Sequence, residues 1–293
     1  MQITYESIQE LINLANEQHI RLSDLILSDQ ASSMETSPDE ILKRMDAQLT
    51  VMEESAAEGR KEDIRSSSTL AGGNGYLMDT YTKCGNPLSG DFCAYAITTA
   101  IAVAECNAAM GRIVAAPTAG SCGILPAAVL TMIEKRGISR QDACMALITA
   151  GGVGMVIANV ASIAGATGGC QAECGSASAM AAAALVELSG GTPEMAGHAM
   201  AISIKNQLGL VCDPVAGLVE VPCIKRNAGS IMCAITAADL ALSGVKSVIP
   251  VDEVLQAMNE VGSTLPCALR ETAQGGLATT PTGLKLAEAI LGA

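Results

Sequence analysis

The sequence contains no tryptophan, a single phenylalanine (Phe92) and four tyrosines in 293 residues. So few rings can build neither an aromatic core nor a stacking platform for nucleic-acid bases. Histidine is almost as scarce, with only His19 and His198, so a Cys/His zinc site has few partners. No CxxC pair occurs among the eleven cysteines, which argues against thioredoxin-like chemistry and ordinary zinc ribbons. Basic residues are outnumbered, 17 Lys and Arg against 30 Asp and Glu, and no basic stripe offers itself to phosphates. These absences speak against a nucleic-acid partner. The net charge of −13 is uneven: fourteen acids against six bases fall in residues 1–65, so −8 of it sits there. An acidic surface on a cytoplasmic enzyme is the plainest reading. Residues Met1 to Glu6 show neither the basic nor the apolar region of a secretory signal, and many cysteines without such a signal point to a reducing compartment.

What is present is mainly helical patterning. Ile8, Leu11, Ile12 and Ala15 recur at helical spacing. Ser37-Pro38-Asp39-Glu40 opens a second helix with a cap, a first-turn proline and a capping-box glutamate, and Ile41, Met45, Leu49 and Met52 form its stripe up to Gly59. Lys61 to Ser68 reads as a polar linker. The expected organisation is an acidic helical segment over residues 1–65, then a compact, mainly α catalytic domain with Gly-rich loops over 66–293. Within it, Ala177 to Leu188 is a strong helix former, and Ser139, Thr192-Pro193 and Pro250 mark further helix starts. Residues 143–172 carry no charged side chain, long enough to cross a bilayer. Six glycines, Asn159 and the lack of a basic flank favour a buried helix followed by a glycine loop, with no membrane span.

Three cysteines stand in distinctive surroundings: Gly169-Cys170-Gln171, Val211-Cys212-Asp213-Pro214 and Val221-Pro222-Cys223-Ile224. Three thiolates can hold a cubic iron–sulfur cluster and leave its fourth iron open, the arrangement of a Lewis acid more than of an electron carrier. Spacing alone decides nothing, because free cysteine is also an ordinary core residue. Core packing suits Cys93, Cys106, Cys144 and Cys233, whereas loop positions beside Gly and Pro leave backbone N–H groups free for cluster sulfurs. Cys174, four residues after Cys170, and Cys267 compete as ligands. A second constellation runs from Ala116 to Pro126. Its Thr118, Gly120, Ser121 and Gly123 form either a carboxylate-binding nest or an ordinary turn into a helix; the Walker lysine is missing. Lys205 and Arg226, with Asn227, stand near the cysteines in sequence, where they either neutralise a substrate carboxylate or the negative charge of a cluster, or serve as solvated helix residues. His198, on the helix from Pro193, reads as a satisfied surface histidine before it reads as a base, and His19 lies on the acidic N-terminal helices.

Taken together, Asn107-Ala108-Ala109-Met110-Gly111, Ala116-Pro117-Thr118-Ala119-Gly120, Ala161-Ser162-Ile163-Ala164-Gly165-Ala166, Gly169-Cys170-Gln171-Ala172-Glu173, Asn206 to Gly217, Val221 to Ala228 and Leu269-Arg270-Glu271-Thr272 resemble the α subunit of the iron–sulfur, two-chain bacterial L-serine dehydratases. The resemblance covers essentially the whole chain. It implies a largely helical domain and a [4Fe–4S] cluster on Cys170, Cys212 and Cys223. It also implies conversion of L-serine to pyruvate and ammonia without pyridoxal phosphate, and a separate β subunit carrying the catalytic base, so neither histidine here inherits that role. Single-chain members of the family can end in a cysteine that reaches the open iron; Ile290 to Ala293 has none. The expected chemistry is polarisation of the β-hydroxyl by the open iron, removal of the α-proton, and hydrolysis of the resulting aminoacrylate through its imine. Threonine or cysteine as substrate, and a non-catalytic redox or sensor role with Cys174 or Cys267 as fourth ligand, are the alternatives.

Overall fold

The computed structural model describes residues 5–292, within which thirteen α-helices form and no strand does. The first three are α1 (Ile8–Glu17), α2 (Leu22–Ser33) and α3 (Pro38–Glu58). The hydroxyls of Ser7 and Ser37 accept the N–H groups of Glu10 and Glu40, which satisfies otherwise orphaned donors. The capping box is only half made, because the Glu40 carboxylate takes the Arg44 guanidinium one turn onward at 3.2 Å. Ile41, Leu49 and Met52 are buried as the stripe predicts, and Met45 is half-buried. Next come α4 (Asn74–Cys84) and α5 (Gly90–Ala108). Gly59 ends α3 with a right-handed φ of −69°, so conformational freedom is not what requires glycine there. A Cβ at that position would overlap the Ala102 carbonyl of α5.

The centre of the molecule is α9 (Ser176–Leu188), packed among α6 (Ile124–Arg136), α7 (Arg140–Val160), α10 (Pro193–Lys205) and α11 (Cys223–Leu242). Its residues Ser176 to Val186 are all buried, as expected of a helix apolar on every face. Six of these are alanines that favour helix and keep the surrounding axes close. Close packing also explains two of the three glycines within α7. A Cβ on Gly152 would strike Ile26 of α2, and one on Gly154 would sit 2.9 Å from the Met180 methyl of α9. Helix α7 is long and apolar enough to cross a membrane by length and composition; 67% of its apolar 18-residue window is buried inside the fold.

Irregular backbone is concentrated between α7 and α11, where α8 (Gly165–Gly168) and a wide turn at Gln171–Gly175 precede α9 and the irregular stretch 206–222 follows α10. Helices α12 (Val251–Thr264) and α13 (Pro281–Leu291) complete the chain. The polar linker is also tied to this region. Ser66 and Ser68 donate to the buried Glu220 carboxylate at 2.6 and 2.7 Å, just ahead of Cys223.

Candidate functional site

Each of the three singled-out cysteines is delivered by a different break in the helical pattern. Gly169 precedes Cys170 with φ +74°, and a Cβ there would stand 2.9 Å from the Leu210 carbonyl, so glycine serves both the turn and the crossing of two segments. Gln171 locks that crossing: its N–H donates to Leu210 O, its Oε1 accepts Gly209 N–H and its Nε2 donates to Met258 O, each at 2.9 Å. Cys212 lies on an extended segment bridged to residues 269–271, with its N–H on Leu269 O and its carbonyl accepting Glu271 N–H. Cys223 opens α11 after the cis Val221-Pro222 bond. One turn into that helix, Arg226 donates to Val211 O at 2.7 Å and to Asp213 Oδ1 at 2.8 Å, fastening the Cys223 helix to the Cys212 segment.

All three cysteines are buried, at 3%, 3% and 8% exposure for Cys170, Cys212 and Cys223. They also lie within one another's electrostatic field. Burial, then the charge of Cys170, pushes the Cys212 thiol well up and the Cys223 thiol to about 12. Cys170 goes the other way. A hydrogen bond with Cys174, Sγ to Sγ 3.4 Å, and the nearby Arg226 guanidinium favour its thiolate, and the Cys174 thiol rises correspondingly. No three His, Cys, Asp or Glu among the described residues are grouped closely enough to hold one metal ion. The remaining cysteines fit the packing reading in part. Cys106, Cys122 and Cys144 are buried, Cys93 and Cys233 half-buried, and Cys84 and Cys267 exposed.

The Thr118 loop meets this cysteine region through two side chains. Asn227, fully buried on α11, accepts Gly123 N–H at 2.9 Å and donates to Gly120 O at 2.8 Å and to Cys223 O at 2.9 Å. Glu173, in the turn after Cys170, accepts the Thr118 hydroxyl on Oε1 at 2.8 Å, and Ser121 Oγ lies 3.1 Å from the same hydroxyl. A Cβ on Gly120 would be 3.1 Å from Glu173 Oε1. One on Gly165 would be 2.7 Å from Oε2 and 3.1 Å from Cys212 Sγ. Two glycines thus leave room for a carboxylate set between the loop and a cysteine sulfur. Burial raises the pKa of that carboxyl group, and the negative charge of Glu271 adds to the effect.

The structure therefore brings Thr118, Gly120, Ser121, Gly123, Arg226 and the three cysteines into one connected region. Lys205 is placed differently: at the end of α10, its Nζ donates to Ser247 Oγ at 2.9 Å, and its charge is felt by His198. Sequence reasoning did not single out Glu173. The available signal was an acid, between two cysteines, ending a thirty-residue stretch without charge.

A helical protein whose loops gather buried cysteines beside a glycine–hydroxyl turn belongs to the class that builds its site from breaks in a helix bundle. The chain is a member of the serine dehydratase alpha chain family, whose sequence model matches residues 17–278. It is 50% identical over 288 residues to the Bacillus subtilis (strain 168) protein named "Probable L-serine dehydratase, alpha chain", covering 98% of this chain and 96% of that one. It is 48% identical over 278 residues to the L-serine dehydratase alpha chain of Peptoniphilus asaccharolyticus, covering 95% of each. An Escherichia coli (strain K12) L-serine dehydratase matches at 44% over 182 residues, which is 61% of this chain and 40% of that protein.

Proposed function

We propose that this chain is the cluster-bearing subunit of a two-chain L-serine dehydratase, converting L-serine to pyruvate and ammonia. In this reading Cys170, Cys212 and Cys223 hold a [4Fe–4S] cluster, and the partner β subunit supplies the base. The observation that carries the reading is the meeting of three buried thiols, from three separate backbone breaks, within one electrostatic neighbourhood that contains Arg226. The fit to a cubane is chemical. Its thiolates bind different irons, so they need not crowd round one point as the ligands of a single ion must. When bound, the cluster would supply Lewis acidity toward the serine hydroxyl.

The chain's own residues do the rest. Arg226 places a fixed positive charge beside Cys170 and offsets the negative charge of assembled thiolates. Asn227 fixes the Thr118–Gly123 loop relative to Cys223, so that the part of the site that binds substrate and the part that holds the cysteines move as one body. The loop then receives the substrate carboxylate. Loss of the α-proton and of the β-hydroxyl gives aminoacrylate and water; tautomerisation to the imine and hydrolysis give pyruvate and ammonia.

Anaerobic purification followed by iron and acid-labile sulfide analysis tests the cluster. About four of each per chain is expected for one cubane. Pyruvate formation from L-serine after the β subunit is added tests the reaction. Iron-free protein after co-expression with the partner and anaerobic reconstitution would end the cluster reading. Faster turnover of L-threonine or L-cysteine would reassign the substrate, since one methyl is worth only about 1–3 kcal/mol of discrimination.

A further inference from the structure

Glu173 is a carboxylate without a cation. None of the ion pairs among the described residues includes it. Its one hydrogen bond is from the Thr118 hydroxyl to Oε1. Its other oxygen, Oε2, lies beside Gly165 and Cys212 Sγ, where any side chain on residue 165 would intrude. Three other buried carboxylates, Asp213, Glu220 and Glu105, are engaged on several sides. Asp213 holds Arg226 and Leu277 N–H, Glu220 holds two serine hydroxyls, and Glu105 holds the N–H groups of Gly72, Asn74 and Gly75 together with the Asn74 amide. Those three acids fasten neighbouring segments to one another. Glu173 fastens nothing with Oε2, although it lies between the loop assigned to the substrate carboxylate and a cysteine assigned to the cluster.

We infer that Glu173 holds the α-ammonium group of the amino-acid substrate. Resting on the function proposed above, this makes Glu173 the residue that restricts the site to amino acids over the corresponding hydroxy acids. The Thr118 hydroxyl orients Oε1 and leaves Oε2 to accept the ammonium. The ammonium brings Glu173 the cation it lacks, in a half-buried position where such a charge-assisted hydrogen bond is strong. A ligand without the amine, such as glycerate, would leave the carboxylate without its cation.

The test uses the complete two-chain enzyme with its cluster reconstituted, and glycerate of matching configuration as the amine-free probe. The parent enzyme should bind glycerate roughly 10- to 100-fold more weakly than L-serine, the worth of one hydrogen bond to a charged group. In Glu173→Gln, which keeps an acceptor for Thr118, the KM for L-serine should rise by a similar factor while the glycerate Ki moves less than about threefold. Thr118→Val should lower the same selectivity several-fold without touching residue 173, and it decides the matter if Glu173→Gln fails to fold or to retain iron. Equal binding of serine and glycerate by the parent, or parallel shifts of both constants in the variants, would overturn the assignment. A parent enzyme that makes no pyruvate would instead sink the proposed function; the selectivity between the two ligands is then read by calorimetry and decides the Glu173 assignment separately.

Discussion

Replacing Asn227 with leucine tests whether the loop and the cysteine helix are joined as the geometry indicates. The substitution keeps the approximate shape and removes three buried hydrogen bonds: from Gly123 N–H at 2.9 Å, to Gly120 O at 2.8 Å and to Cys223 O at 2.9 Å. The Cys223 carbonyl retains its ordinary helical partner one turn on. Gly123 N–H and Gly120 O lose the Asn227 amide. An unsatisfied buried group costs about 1–3 kcal/mol, so the loss is roughly 2–6 kcal/mol, a large share of the about 5–15 kcal/mol that stabilises a typical domain. For a chain of this length each kcal/mol corresponds to about 2 °C, so Tm should fall by roughly 4–12 °C in a calorimetric scan. The control is Asn107→Ala, whose exposed side chain donates to Ala119 O at 3.2 Å; it should cost under about 1 kcal/mol. Iron retention in Asn227→Leu should fall below that of the parent well beneath the melting transition, because Cys223 lies one turn from the lost amide. A Tm within about 2 °C of the parent, with iron content unchanged, would refute the claim that this side chain holds the two parts together.

Alanine at Cys170, Cys212 or Cys223 should abolish bound iron and activity together, whereas alanine at the exposed Cys84 or Cys267 should leave both in place; full iron content in any of the first three would remove that residue from the ligand set. Gly165→Ala places a methyl 2.7 Å from Glu173 Oε2 and 3.1 Å from Cys212 Sγ, so it should cost about 1–3 kcal/mol of stability and lower kcat/KM for L-serine. The harmless counterpart is Gly151→Ala in α7, where a Cβ meets nothing within 4 Å; its thermal stability should match or slightly exceed the parent's. Glu173 also predicts a pH dependence. Burial raises its folded-state pKa above the unfolded value near 4.5, so the ionised side chain destabilises the iron-free fold above that pH. Glu173→Gln should therefore melt higher than the parent at pH 7, and the gain should vanish as pH falls below 4.5. Equal melting curves at both pH values would contradict it.

Sequence alone determined what is decided within a turn or two of chain. Ser37-Pro38, Ser139 and Thr192-Pro193 start α3, α7 and α10 because a hydroxyl reaches an N–H two or three residues ahead whatever the rest of the protein does. The burial of α9 was equally legible, since a helix with no polar face has nowhere else to go. The cysteines could be singled out from their Gly and Pro neighbours, but the spacings of forty-one and ten intervening residues say nothing about distance. Whether they meet depends on Gln171 gripping residues 209 and 258, and on Arg226 reaching back to residues 211 and 213. Tertiary packing likewise decided that Glu173 faces Thr118, fifty-five residues away, and that Lys205 turns to Ser247. It also gave Gly59, Gly152 and Gly165 their purpose, because a missing Cβ has meaning only once a neighbouring element arrives beside it. Helices are written in contacts three and four residues apart, whereas a site made from breaks between helices exists only after those helices have packed.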